Sequence, residues 1–143
     1  MRPAERAAAA PDTVSGALDV LPGIDVDAGL AGIMGNQRLY RRLLTMFRDR
    51  ERDFAARFRA ARASGDRAAA ARLAHDLKSV AGTLGVHAVQ RAAAVLEHAC
   101  NRDAHEEDID ALVESVSGLL EPVIAGLQGL DPGRDGGSVG AGV

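Results

Sequence analysis

Apolar positions in the middle of the chain recur at intervals of three and four residues, the period of an amphipathic α-helix. The clearest stripe lies within residues 73–84 and consists of Leu73, Leu77, Val80 and Leu84. It predicts a helix with one buried edge. Asp66 is in position to cap the start of this helix, and Gly85 to end it.

The same reading predicts five helices in all. They are expected over about 25–34, 37–62, 66–84, 86–101 and 106–130. Asn36 occupies the N-cap position of the second helix, whose apolar stripe is interrupted at Arg50 or Glu51. In the last helix Pro122 is expected to cause a bend rather than a stop, because its ring presses on the carbonyl of Gly118.

Four long helices joined by short breaks predict an all-α fold, an antiparallel four-helix bundle with a short additional N-terminal helix. We expect this domain to occupy residues 21–130. Residues 1–20 are expected to form a flexible N-terminal tail or linker. The Gly-rich residues 131–143 are expected to form a disordered tail, because they cannot bury an apolar face.

Composition narrows the class of protein further. Hydrophobic residues make up 47% of the 143 residues and aromatics only 3%, which favours close-packed helices over a sheet. A net charge of -3 gives no general attraction for nucleic acid or for an anionic membrane. The single cysteine, Cys100, excludes an internal disulfide, and no apolar stretch approaches the roughly 20 residues that span a bilayer. We therefore expect a monomeric cytoplasmic protein.

The candidate chemistry lies on the helix 66–84. Lys78 is the only lysine among 17 basic Lys and Arg residues, and it follows His75 by three positions. On a helix Lys78, Ser79 and Gly82 fall within about 60° of His75 and opposite the apolar stripe, so the imidazole is expected to face water. Glycine in a helix interior costs about 1 kcal/mol relative to alanine, which suggests close approach by another molecule at Gly82. A nucleophilic nitrogen, a cation, a hydroxyl and bare backbone suit docking of a group that carries phosphate.

These residues resemble the histidine-containing phosphotransfer (HPt) domain of bacterial phosphorelays. The matching stretches are Leu21-Pro22-Gly23-Ile24-Asp25, Gly35-Asn36, Leu39-Tyr40, Ala74-His75, Leu77-Lys78, Ala81-Gly82 and Leu84-Gly85. The resemblance implies a four-helix bundle. It also implies that His75 is the phosphorylated nucleophile and that Lys78 is the cation that stabilises the phosphoryl group.

Other positions take expected roles from the same resemblance. Glu97 falls where the family often has Gln or Glu, and a hydrogen bond from the imidazole to it would fix the ring and its tautomer. Ser79 stands where the family usually has a second glycine, and its hydroxyl is expected either to bond back to the carbonyl of His75 or to meet the phosphoryl group. We expect Ser79, Gly82 and Arg72 to contribute to partner docking.

The implied function is a relay of a phosphoryl group between receiver-domain aspartates through His75. The expected partners are the receiver domain of a hybrid sensor histidine kinase, a response regulator, or both. No intrinsic cofactor is expected, and Mg²⁺ would belong to the receiver domain. The arginine-rich segment 38–62 is expected to steer the protein toward an acidic receiver surface. We expect no autonomous kinase activity, since the chain has neither a Walker-type loop nor room for further domains after the last helix.

A helical bundle with a different function is the alternative to this hypothesis. A metal-binding bundle, or a bundle that only binds other proteins, would need no phosphorylated histidine. The sequence contains no Glu-x-x-His, His-x-x-x-His or Cys-x-x-Cys-His spacing, so it offers little support for a metal site. His87, His98 and His105 are expected to be ordinary solvated side chains.

Overall fold

The computed structural model describes residues 21–130, and these residues form six α-helices and no strand. The helices are α1 (Val26–Gly32), α2 (Gln37–Glu51), α3 (Phe54–Ala63), α4 (Arg67–Leu84), α5 (His87–Asn101) and α6 (Glu106–Leu127). The all-α fold is therefore as predicted. The predictions for residues 1–20 and 131–143 lie outside the described residues.

The helix boundaries follow the capping signals in the sequence. The side chain of Asn36 accepts a hydrogen bond from the backbone N–H of Leu39 at 3.0 Å, and that of Asp66 from Ala69 at 2.9 Å. Both residues are N-caps, as predicted. Gly85 ends α4 in the left-handed region at φ 88°, a conformation that favours glycine.

One predicted helix is wrong, because residues 37–62 form two helices instead of one. α2 ends at Glu51, and α3 begins at Phe54. The carboxylate of Glu51 is only 3% exposed and pairs with the guanidinium of Arg57 at 3.0 Å. Arg57 also donates to the carbonyl of Arg50 at 2.8 Å. One arginine from α3 thus satisfies both a buried charge and a carbonyl at the end of α2.

The last helix, α6, continues through Pro122 to Leu127 without interruption. Pro122 does not stop the helix, in agreement with the sequence. No helix in residues 21–130 is long and apolar enough to cross a membrane.

The fold places α4 in contact with four other helices, α1, α2, α3 and α5. The buried edge of α4 consists of Ala70, Ala74, Leu77, Ala81 and Leu84. Leu73 and Val80, both predicted for the buried stripe, are only partly buried at its margins. Three of the five buried residues are alanines, and their small side chains allow a neighbouring helix to approach closely.

Buried polar contacts fix the C-terminal end of α4. The hydroxyl of Tyr40 donates to the carbonyl of Leu84 at 2.7 Å, and the N–H of Asp25 donates to the carbonyl of Gly85 at 2.8 Å. A Cβ atom on Gly29 would lie 2.5 Å from the Tyr40 ring, so only glycine lets α1 come this close. Burial, with a smaller contribution from the charge of Asp25, raises the pKa of Tyr40 to about 12. The phenol therefore remains a donor at physiological pH.

Replacing this tyrosine tests how firmly the end of α4 is anchored. Tyr40→Phe removes the donor and leaves a buried carbonyl without its partner, so we expect the free energy of unfolding to fall by about 1–3 kcal/mol. Urea denaturation followed by circular dichroism measures the change. Ser64→Ala is the control, because it removes an exposed hydroxyl bonded to a backbone carbonyl at 2.9 Å. Equal losses in the two variants would contradict an anchoring role for Tyr40.

Candidate functional site

His75 lies in the middle of α4 with its side chain 52% exposed. Ala74, directly before it, and Leu77, two positions after it, are buried in the core, whereas Asp76 between His75 and Leu77 is exposed. The helix backbone at this point is therefore held by packing, while the imidazole extends into solvent. This is the orientation that the apolar stripe predicted.

A carboxylate from the neighbouring helix α5 joins the two candidate residues. One oxygen of Glu97 lies 2.9 Å from Nδ1 of His75, and the other lies 2.7 Å from Nζ of Lys78. Glu97 is 19% exposed and Lys78 is 33% exposed, so both groups are partly shielded from water. The structure thus brings His75, Lys78 and Glu97 together in one connected group.

The contacts with Lys78 and His75 favour the ionised form of Glu97. The hydrogen bond from Lys78 is the largest cause that holds the pKa of Glu97 below its ordinary value, and the hydrogen bond from His75 acts in the same direction. At neutral pH the carboxylate is therefore ionised and can only accept hydrogen bonds.

An acceptor beside Nδ1 selects one tautomer of the neutral imidazole. Nδ1 must carry the proton that it donates to Glu97, which leaves the lone pair on Nε2. Within residues 21–130 Nε2 has no hydrogen-bond partner. A neutral His75 thus presents a nucleophilic nitrogen at the protein surface.

Gly82 lies at the contact between α4 and α5. A Cβ atom at this position would lie 2.7 Å from the side-chain nitrogen of Gln90 on α5, and Gly82 itself is half-buried. The Gln90 side chain therefore covers part of the bare backbone, and the expected role of Gly82 in partner docking stays a prediction. The close approach seen at this position is that of the Gln90 side chain of α5.

Ser79 and Arg72 are both exposed on α4. The predicted bond from the Ser79 hydroxyl to the carbonyl of His75 does not form among the described residues. Instead, the hydroxyl of Thr83 donates to the carbonyl of Ser79 at 3.1 Å. Arg72 makes no ion pair within residues 21–130. Both side chains are therefore available to solvent beside His75.

Sequence reasoning missed two features of this surface. Gln90 covers Gly82, and no spacing rule within one helix reveals a contact that depends on how two helices pack. A shallow cavity of about 270 Å³ also lies between α2 and α4, where Leu43 and Met46 face Val80. The position of Met46 could have indicated this cavity, because the residue falls outside the apolar stripe of α2. In the structure its side chain is 57% exposed.

The other candidate ligands lie apart from His75. Nε2 of His87 lies 3.2 Å from the carboxylate of Asp25, whereas His98 and His105 are exposed. Cys100 is buried. Across residues 21–130 no three His, Cys, Asp or Glu side chains are grouped so that they could hold a metal ion.

Comparison with known protein families identifies the class. The family model described as the Hpt domain matches residues 42–128, more than half of the chain. The chain therefore belongs to the Hpt domain family, whose members act in histidine phosphotransfer within two-component phosphorelays and interact with receiver domains. The match begins inside α2, so α1 lies outside it. Neither the curated proteins nor the solved structures contain a match to this chain.

The lowered pKa of Glu97 predicts a dependence of stability on pH. Above its ordinary pKa of 4.5 the carboxylate is ionised in the folded and unfolded states alike, and its bonds to Lys78 and His75 contribute in full. As the pH falls through the lower folded-state value, the folded protein must also take up the proton and this contribution is lost. We therefore expect the stability difference between wild type and Glu97→Gln to shrink as the pH falls below the ordinary pKa of 4.5 and through the lower folded-state value.

Urea denaturation at a series of pH values measures this difference. Glu107→Gln is the matched control, because Glu107 is exposed and makes no ion pair within residues 21–130. If the difference in unfolding free energy between wild type and Glu97→Gln stays constant across the acidic range, Lys78 and His75 do not favour the ionised carboxylate over the protonated one.

Proposed function

We propose that this protein relays a phosphoryl group between receiver-domain aspartates through His75. The observation that carries the proposal is the contact of the Glu97 carboxylate with Nδ1 of His75 at 2.9 Å, on the exposed face of a helix fixed by the core. This contact orients the ring and leaves Nε2 as the nucleophile. Membership of the Hpt domain family supports the reaction class, because such domains carry phosphoryl groups and interact with receiver domains.

In the proposed reaction Nε2 of His75 attacks the phosphorus of an aspartyl phosphate on a receiver domain. The N–P bond forms as the bond from phosphorus to the carboxyl oxygen breaks, and the receiver carboxylate leaves with the electron pair. Transfer to a second receiver aspartate is the same step in reverse. No proton has to leave the imidazole, because Nδ1 keeps its proton throughout.

Glu97 and Lys78 supply the local electrostatics. With Nδ1–H retained and a phosphoryl group on Nε2, the ring itself becomes cationic, and the Glu97 carboxylate stabilises that charge. Lys78 holds the other oxygen of Glu97 and keeps a positive charge near the phosphoryl group. Mg²⁺ bound by the receiver would neutralise most of the phosphoryl charge during transfer.

The protein acts in this proposal as a carrier without autonomous kinase activity, and as a monomer in the cytoplasm. The proposed partners are the receiver domain of a hybrid sensor histidine kinase and that of a response regulator. Each partner has to bring its aspartate to the exposed face of α4. The transfer therefore depends on alignment of two proteins more than on covalent chemistry supplied by this one.

Transfer from a phosphorylated receiver domain tests the proposal. We expect ³²P to move from the receiver to this protein as acid-labile, base-stable label, because phosphohistidine has this stability profile. His75→Gln should accept no label, whereas His98→Gln, which changes an exposed histidine on α5, should accept label at the wild-type level. Label that persists in His75→Gln would place the phosphorylated residue elsewhere in the chain.

The role of Glu97 has its own test. Glu97→Ala removes a charge-assisted hydrogen bond of about 1.5–3 kcal/mol, so we expect transfer to slow by about 10- to 100-fold. Glu97→Gln should recover part of the rate, because its amide oxygen can still accept from Nδ1. Long-range ¹H–¹⁵N NMR should show the Nδ1–H tautomer of His75 in wild type and a mixture of tautomers in Glu97→Ala. An unchanged rate together with an unchanged tautomer would remove Glu97 from the site.

A further inference from the structure

The two flanks of His75 on α4 differ in what they contact. Lys78 and Gly82 lie on the side facing α5, because they meet Glu97 and Gln90 of that helix. At 100° per residue, the positions three before and four after His75 fall on the opposite flank. These positions are Arg72 and Ser79. Ser79 accordingly lines a shallow cavity shared with Leu43 of α2 and with Asp76, an exposed carboxylate of α4.

The imidazole is attached to only one of these flanks. Nδ1 is held toward α5 by Glu97 at 2.9 Å. The two ring nitrogens have widely diverging lone-pair directions, so Nε2 is directed away from α5. A phosphoryl group bonded to Nε2 would therefore project on the side of α4 that carries Arg72 and Ser79.

The two flanks also differ in whether their polar side chains are already bonded to other residues. Nζ of Lys78 lies 2.7 Å from Glu97 and is engaged by that carboxylate. Arg72 is exposed and makes no ion pair within residues 21–130, and the Ser79 hydroxyl makes no bond there either. Helix neighbours three and four positions apart have Cβ atoms about 5–6 Å from each other, so both side chains can reach a group on His75.

We propose that the phosphoryl group on His75 is bound by the guanidinium of Arg72 and the hydroxyl of Ser79, one helical turn before and after it. The planar guanidinium donates two parallel hydrogen bonds to phosphoryl oxygens, and the hydroxyl donates to the remaining oxygen. Lys78 then acts mainly by holding Glu97 in place. This inference rests on the proposed function, since it requires that His75 carries the phosphoryl group.

The test uses the full chain phosphorylated chemically with phosphoramidate, a small donor that needs no receiver domain. The ³¹P resonance of phospho-His75, assigned by its absence in His75→Gln, is followed as a function of pH. A nearby cation favours the dianionic form of the phosphoryl group and lowers its pKa. We expect Arg72→Ala to raise that pKa by about half a unit or more, Ser79→Ala to raise it by less, and Arg72→Lys to restore it in part.

Two further variants make the result specific to the proposed flank. Arg91→Ala removes an exposed arginine of α5 that has no ion pair within residues 21–130, and we expect no shift. Lys78→Met should shift the phosphoryl pKa less than Arg72→Ala does. The opposite order, or no shift in Arg72→Ala and Ser79→Ala, would overturn the inference.

This experiment tests the binding arrangement separately from the proposed relay function. Because the label comes from a small molecule, the pKa shifts are measured whether or not a receiver domain donates to His75. If receiver transfer to His75 succeeds and the shifts are absent, the proposed function stands and this binding arrangement is wrong.

Discussion

The carboxylate of Glu97 is the interaction on which the rest of the site depends. One of its oxygens holds the imidazole of His75 and the other holds the ammonium of Lys78, at 2.9 and 2.7 Å. An exposed histidine on an isolated helix would sample several rotamers and both tautomers. The carboxylate removes much of this freedom, and it does so from a second helix. The orientation of the imidazole is therefore set by the packing of α4 against α5.

Small residues are frequent on the packed side of α4. Alanines make up most of the buried edge of α4, and Gly82 lies under the amide of Gln90. A Cβ atom on Gly82 would lie 2.7 Å from the side-chain nitrogen of Gln90, so a larger residue at this position would displace that side chain. Glycine at this position leaves room for the Gln90 side chain, at a cost of about 1 kcal/mol in helix propensity.

The sequence predicted most of the fold because the determining signals are local. Asn36, Asp66 and Gly85 mark helix ends through bonds that span only a few residues, and the structure has those ends. The break between α2 and α3 was missed because it depends on Arg57 reaching back to the buried carboxylate of Glu51. The spacing of apolar residues does show that the stripe is interrupted there. It does not show that a later side chain would stabilise a break into two helices.

The site was predictable to a similar extent and for the same reason. His75, Lys78 and Ser79 share one helix, so their relative positions follow from 3.6 residues per turn. The contact with Glu97 lies 22 residues away in sequence and entered only through the family resemblance. Which flank of the ring is free could not be read from α4 alone, because the direction of Nδ1 depends on the register of α5. In this register Glu97 lies beside Nδ1, and the ammonium of Lys78 pairs with the other oxygen of the same carboxylate. In our proposal the packing of the adjacent helix therefore decides which side of the ring the phosphoryl group occupies, and the position of the nearest cation in the sequence does not.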